Sequence, residues 1–82
     1  MINILFFASF KEKFRPGLAL ESAADVETVN DLIKLLRKKY GEDVAFLDQE
    51  KTMVAINQSH ACLETPVADG DEIAFFPPVT GG

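Results

Sequence analysis

The sequence predicts an α+β domain in which a small mixed sheet packs against one main helix. Three observations carry this. Short apolar runs with strand character sit at both ends of the chain. A single stretch in the middle carries apolar residues at helical spacing. Turn residues separate these segments, and no internal repeat or low-complexity linker interrupts them. A chain of 82 residues is one domain's length, and its 48% apolar content, with seven Phe and one Tyr, supplies a core without recourse to metal or disulfide.

The first element is a strand over 2–8. Ile2, Ile4 and Phe6 share one face, while Asn3, Leu5 and Phe7 share the other, so large apolar groups stand on both sides. A polar stretch over 11–14 and the turn signal Pro16-Gly17 lead to a second short strand over 18–21 with Leu18 and Leu20 on one face; the two strands form a hairpin with a loose loop. Thr28 opens the one convincing helix, with Asp31 three residues on in the arrangement of a capping box. Val29, Leu32, Ile33, Leu36 and Tyr40 form its apolar stripe. Lys34, Arg37, Lys38 and Lys39 point to solvent, the last three where the helix dipole favours cations, and Gly41 supplies a left-handed cap.

Residues 42–51 form an irregular polar stretch anchored by Phe46 and Leu47. A third strand follows over 53–57, ended by Asn57-Gln58-Ser59. Asp69-Gly70-Asp71 is a tight turn, and Glu72 to Phe76 is the last strand, stopped by Pro77-Pro78 because proline donates no ladder hydrogen bond. The order is strand, strand, helix, strand, strand. The first and last strands are the most apolar, which places them side by side at the centre. This is the β-grasp arrangement of ubiquitin, with a domain over 1–78 and a tail over 79–82.

The remaining composition narrows the chemistry. One cysteine, Cys62, and one histidine, His60, exclude an intramolecular disulfide and any metal cluster built from Cys or His ligands. A net charge of −5 argues against a nucleic-acid partner. The N-terminus lacks the pattern of a signal peptide and no apolar run is long enough for a membrane span, so a cytoplasmic location is expected. Cys62 lacks a plausible triad and reads as a half-buried small apolar residue, and the acidic 69–72 group reads as turn chemistry.

The tail Pro77-Pro78-Val79-Thr80-Gly81-Gly82 is the informative part. Pro77-Pro78 favours extended geometry, and Gly81 and Gly82, lacking Cβ, allow close approach to another molecule. A terminal glycine presents an unhindered carboxylate, inert until ATP converts it to an adenylate open to attack by a thiol or persulfide. On the exposed face of adjacent strands, Phe7 and Phe76 form a candidate docking pair, with His60 near it.

The run from Asp69 to Gly82, with Ile4-Leu5-Phe6-Phe7-Ala8 and Val54-Ala55-Ile56-Asn57-Gln58, resembles the small subunit of molybdopterin synthase, the MoaD family. The resemblance spans the whole chain; the tail match is specific, whereas the helix matches only in pattern. It implies a sulfur carrier that is no enzyme on its own. ATP-dependent adenylation and sulfur transfer would leave a thiocarboxylate on Gly82. That thiocarboxylate would then donate sulfur to cyclic pyranopterin monophosphate. The implied partners are the large synthase subunit, in a heterotetramer, an adenylating activating enzyme and a persulfide donor. Thr80 and Gly81 belong to the threading tail, and Phe7, Phe76, Pro77, Pro78, Val79 and His60 to docking. His60 departs from the apolar contact residue expected there. Two alternatives share the tail chemistry: a sulfur carrier for thiamine thiazole synthesis, and a ubiquitin-like modifier conjugated through Gly82.

Overall fold

The computed structural model describes residues 1–14, 17–47 and 52–77. In chain order the elements are β1 (Ile2–Phe6), α1 (Ser9–Lys13), β2 (Leu18–Glu21), α2 (Val29–Tyr40), a 3₁₀ turn (Gly41–Val44), β3 (Met53–Ile56), β4 (Ser59–Ala61) and β5 (Glu72–Phe76). The strands form one mixed sheet in the order β2-β1-β5-β3-β4. As expected, β1 and β5 are central neighbours, running parallel with Ile4 opposite Ile73 and Phe6 opposite Phe75. Every other pairing is antiparallel.

α2 forms as its sequence dictates. The Thr28 hydroxyl accepts from the Asp31 N–H at 3.3 Å, and the Asp31 carboxylate accepts from the Thr28 N–H at 3.3 Å, a complete capping box. Val29, Leu32, Ile33 and Leu36 are fully buried and cover one face of the sheet, where they meet Ile2, Ile4, Phe6, Val54, Ile73 and Phe75. Gly41 ends the helix at φ 57° and ψ −124°, with its N–H on the Arg37 carbonyl. The positive φ is the expected one, but the ψ lies outside the left-handed helical region, so this is a glycine-favouring turn rather than the anticipated cap.

Two elements, α1 and β4, go beyond the sequence reading. The stretch after β1, expected to be a loose loop, contains α1. Its cue is Phe10 and Phe14, four residues apart, which both turn inward: Phe10 lies 4.5 Å from Phe46 and Phe14 4.9 Å from Phe6, centroid to centroid. Ala8 enters this helix at φ 55° and ψ −134°, a conformation that costs a non-glycine residue on the order of 1–3 kcal/mol. The β3 strand does end before Asn57-Gln58, as expected, but these two residues turn the chain back into a strand that was not expected, β4, because both adopt positive φ (50° and 71°), the geometry of a tight two-residue hairpin.

Leu18 and Leu20 share one face of β2, as expected, and the structure settles which. Leu18 and Leu20 lie on the outer face, away from α2, at 52% and 53% exposure, while Ala19 and Glu21 point inward opposite Ile4 and Ile2. An inward carboxylate is tolerated because it is satisfied: Lys39 Nζ donates to Glu21 Oε2 at 2.8 Å and the Tyr40 hydroxyl donates to it at 3.1 Å. The basic residues of α2 are exposed, as expected, and two of them also make contacts. Lys39 is thus tied to β2, and Arg37 donates to the Leu47 carbonyl, fixing the segment after the 3₁₀ turn. That segment buries Val44 and Leu47 completely and packs Phe46 edge-on against Phe6.

Candidate functional site: the outer face and the root of the tail

The chain leaves the sheet at the end of β5, and Pro77 is the last described residue. Pro78, Val79, Thr80, Gly81 and Gly82, the residues expected to carry the chemistry, lie outside the described residues. The geometry therefore concerns the ground on which that tail is rooted.

β1 and β5 deliver Phe7 and Phe76 to the same end of the sheet. The Phe7 N–H donates to the Phe75 carbonyl at 3.0 Å and extends the parallel ladder one step past the Phe6–Phe75 pair. Phe75 is inward and fully buried, so Phe76 turns to the outer face by strand alternation and is half-buried there, opposite Met53 of β3. Phe7 is 47% exposed. The two proposed docking aromatics therefore stand at the root of the tail.

A cross-strand row continues the same surface one step further from the tail. It runs Leu18, Leu5, Ala74, Ala55, His60 over β2, β1, β5, β3 and β4 in register. His60 is exposed at the β4 edge, two strand spacings or about 10 Å from β5, which puts it at the rim of the surface rather than beside Phe76. The missed members are Leu5, Leu18 and Leu20. Their cue was present: β1 carries apolar residues on both faces, and only one face can meet α2.

The opposite end of the sheet is polar and internally occupied. The N-terminal ammonium pairs with Asp69, which holds the Asp69 carboxyl below the usual carboxylate range. Asp71 accepts from the Ala68 N–H at 2.8 Å and from Asn57 Nδ2 at 3.0 Å, while Asn57 Oδ1 accepts from the Glu72 N–H at 3.0 Å. These acids hold the 68–72 turn and the β3–β4 hairpin together, the turn role expected of them. A hollow of about 200 Å³ lined by Asn57, Gln58 and Glu72 lies at this end. Cys62 is exposed rather than half-buried, and both its N–H (2.9 Å) and its Sγ (3.4 Å) engage the Thr65 hydroxyl. Among the described residues no group of three or more His, Cys, Asp or Glu is placed to hold a metal ion. No helix among them is long and apolar enough to cross a membrane.

Comparison with known proteins agrees with this arrangement. The chain is 42% identical to the molybdopterin synthase sulfur carrier subunit of Escherichia coli (strain K12) over 82 residues, covering all of both chains. It is 43% identical to the protein of the same name from Haemophilus influenzae, again over the whole of both. Among solved structures, SAMP1 from Haloferax volcanii superposes with a TM-score of 0.73 at 28% identity, over 99% of this chain and 98% of that one. The model of the ThiS family matches residues 4–82, from the first strand to the last glycine, and the chain belongs to that family.

Proposed function

We propose that this chain is the sulfur carrier subunit of molybdopterin synthase and that its working group is the carboxylate of Gly82. ATP, bound by an activating enzyme and not by this chain, converts that carboxylate to an adenylate. The outer sulfur of a persulfide donor attacks the adenylate and displaces AMP, and a second thiol then cleaves the resulting acyl disulfide, forming a disulfide with the donor's sulfur and releasing the thiocarboxylate. The thiocarboxylate then gives its sulfur to cyclic pyranopterin monophosphate in the active site of the large synthase subunit, within a heterotetramer. Thr80 and Gly81 thread the enzyme channels, while Phe7, Phe76, Pro77, Pro78 and Val79 dock the carrier, with His60 at the rim of the contact.

One observation carries the reading: β5 delivers the chain at Pro77, beside an exposed aromatic surface and five residues short of Gly82. A domain so built is a handle, with the recognition surface at the point where the tail departs. The two full-length relatives bear the synthase name, which supports the pterin branch over the thiazole one. Reaction with ATP and a persulfide enzyme is consistent with a cytoplasmic setting and with a lone cysteine that stays out of disulfides.

The test is intact and C-terminal peptide mass spectrometry after incubation with the activating enzyme, ATP and a sulfur source. Exchange of oxygen for sulfur, localised to Gly82, is the expected result. Deleting Gly82 removes the exchange and all sulfur transfer while leaving the melting temperature unchanged. A chain that forms neither adenylate nor thiocarboxylate refutes the carrier reading, and conjugates to lysines of other proteins through Gly82 replace it with the modifier reading.

A further inference from the structure

We propose that Leu18 and Leu20 are docking residues, so that the protein acting on Gly82 covers the outer face from β5 across β1 to the β2 edge. This rests on the reading of Gly82 as the working group and adds to it a surface on β2.

The first argument is placement. Leu18 and Leu20 are two of the few large apolar side chains more than half exposed, and both stand on the face that carries Phe7 and Phe76. Leu18 lies directly opposite Leu5, and Leu5 opposite Ala74, so the apolar surface is continuous from Phe76 to Leu18 at the sheet edge, while Leu20, opposite the polar Asn3, extends it along β2. β2 is that edge, and edge strands are ordinarily guarded by lysine, proline or inward charges. Here the outward positions carry leucine and the one charge, Glu21, is consumed on the inner side by Lys39 and Tyr40.

The second argument is reach, and it selects the occupant. Five residues follow Pro77, and a fully extended chain of that length spans at most roughly 18 Å. Any protein that holds Gly82 in its active site therefore stands within that distance of Pro77. A standard interface takes about 800 Å² from each partner, a patch about 15 Å in radius. β2 lies two strand spacings from β5, about 10 Å, which places it inside such a footprint. The footprint already includes Phe7 and Phe76. A second copy of this chain seated on the face would instead obstruct the approach to the tail. The partner surface that fits is apolar opposite Leu5, Leu18 and Phe76, with polar groups where Asn3 and Glu72 border the patch.

The experiment compares the full chain with its Leu18→Thr/Leu20→Thr double variant. Binding to the large synthase subunit and to the activating enzyme is measured by calorimetry. Oligomeric state is followed by sedimentation and Gly82 thiocarboxylation by mass spectrometry. The variant places β-branched threonine, a good strand former, on an exposed strand and is expected to melt with the wild type. The large synthase subunit is expected to bind it about ten-fold or more weakly. Equal affinity for that subunit overturns the proposal, including the cases in which the substitutions weaken only the activating enzyme or abolish self-association alone. If the variant folds poorly, amide exchange in the wild type decides: slower exchange at residues 18–20 in the complex supports the proposal, and unchanged exchange rejects it. Normal thiocarboxylation with unaltered binding removes only the β2 assignment. Absent thiocarboxylation in the wild type removes the carrier reading itself.

Discussion

The two faces of this sheet are built from the same strands and are both apolar, yet they serve different ends. On the inner face Ile2, Ile4, Phe6, Val54, Ile73 and Phe75 are at most 3% exposed, sealed by the stripe of α2. On the outer face Leu5, Phe7, Leu18, Leu20, Ala74 and Phe76 alternate with them along β1, β2 and β5, and the described helices leave that face uncovered. Hydrophobicity alone does not distinguish the two. The distinction comes from the one helix long enough to close a face, and from the position of the tail root at the end of the other.

Substitution at adjacent residues of β5 tests the contrast most sharply. Phe75→Ala removes a fully buried ring stacked 5.9 Å from Phe6 and is expected to cost about 3–5 kcal/mol in denaturant unfolding, a large share of the stability of so small a domain. Phe76→Ala is expected to leave most of that stability in place and instead to weaken partner binding by about 1–3 kcal/mol, measured by calorimetry. Equal losses of stability at the two positions would erase the division between faces.

Glu21 gives the smallest effect and the finest test, since it is the charged residue of the inner face. Its hydrogen bond holds the Lys39 ammonium above the ordinary lysine range, and burial, with a hydrogen bond to the same carboxylate, raises the Tyr40 hydroxyl. In both cases the folded state retains a proton longer than the unfolded chain does. The stabilisation is therefore whole at neutral pH, and it is lost as the pH climbs through the ordinary lysine and tyrosine range toward the raised folded values. Melting temperatures across alkaline pH should fall, and the fall should be shallower, though not absent, in Glu21→Gln, where Tyr40 remains buried. Parallel curves for the two chains would show that the contact contributes nothing.

The parts of the molecule that the sequence makes legible are those written in local signals. Thr28 and Asp31 announce α2, its stripe is periodic, and the central β1–β5 pair follows from two strongly apolar runs. The terminal glycines point by composition to the proposed chemistry and lie outside the described residues. What was hidden depends on contacts far along the chain. α1 has no side-chain cap, and its only cue is the Phe10–Phe14 spacing, which matters once Phe46 and Phe6 are there to receive the rings. The β3–β4 hairpin turns on two residues at positive φ with no glycine to advertise it. The orientation of β2 depends on a one-residue choice of register, settled by partners for Glu21 that sit some twenty residues away on α2.

The parallel pairing of β1 with β5 has a consequence for how the protein is made. The N-terminal strand finds its central neighbour in a strand that the ribosome delivers after nearly everything else, so Ile4 waits for Ile73 and Phe6 for Phe75. Such distant pairing is slow to form and leaves Ile2, Ile4 and Phe6 without cover in the nascent chain. Translation that stops before β5 thus yields a chain with neither a closed sheet nor the tail that follows it. On the proposal that Gly82 is the working group, an unfinished molecule has nothing to offer the enzymes that would load it.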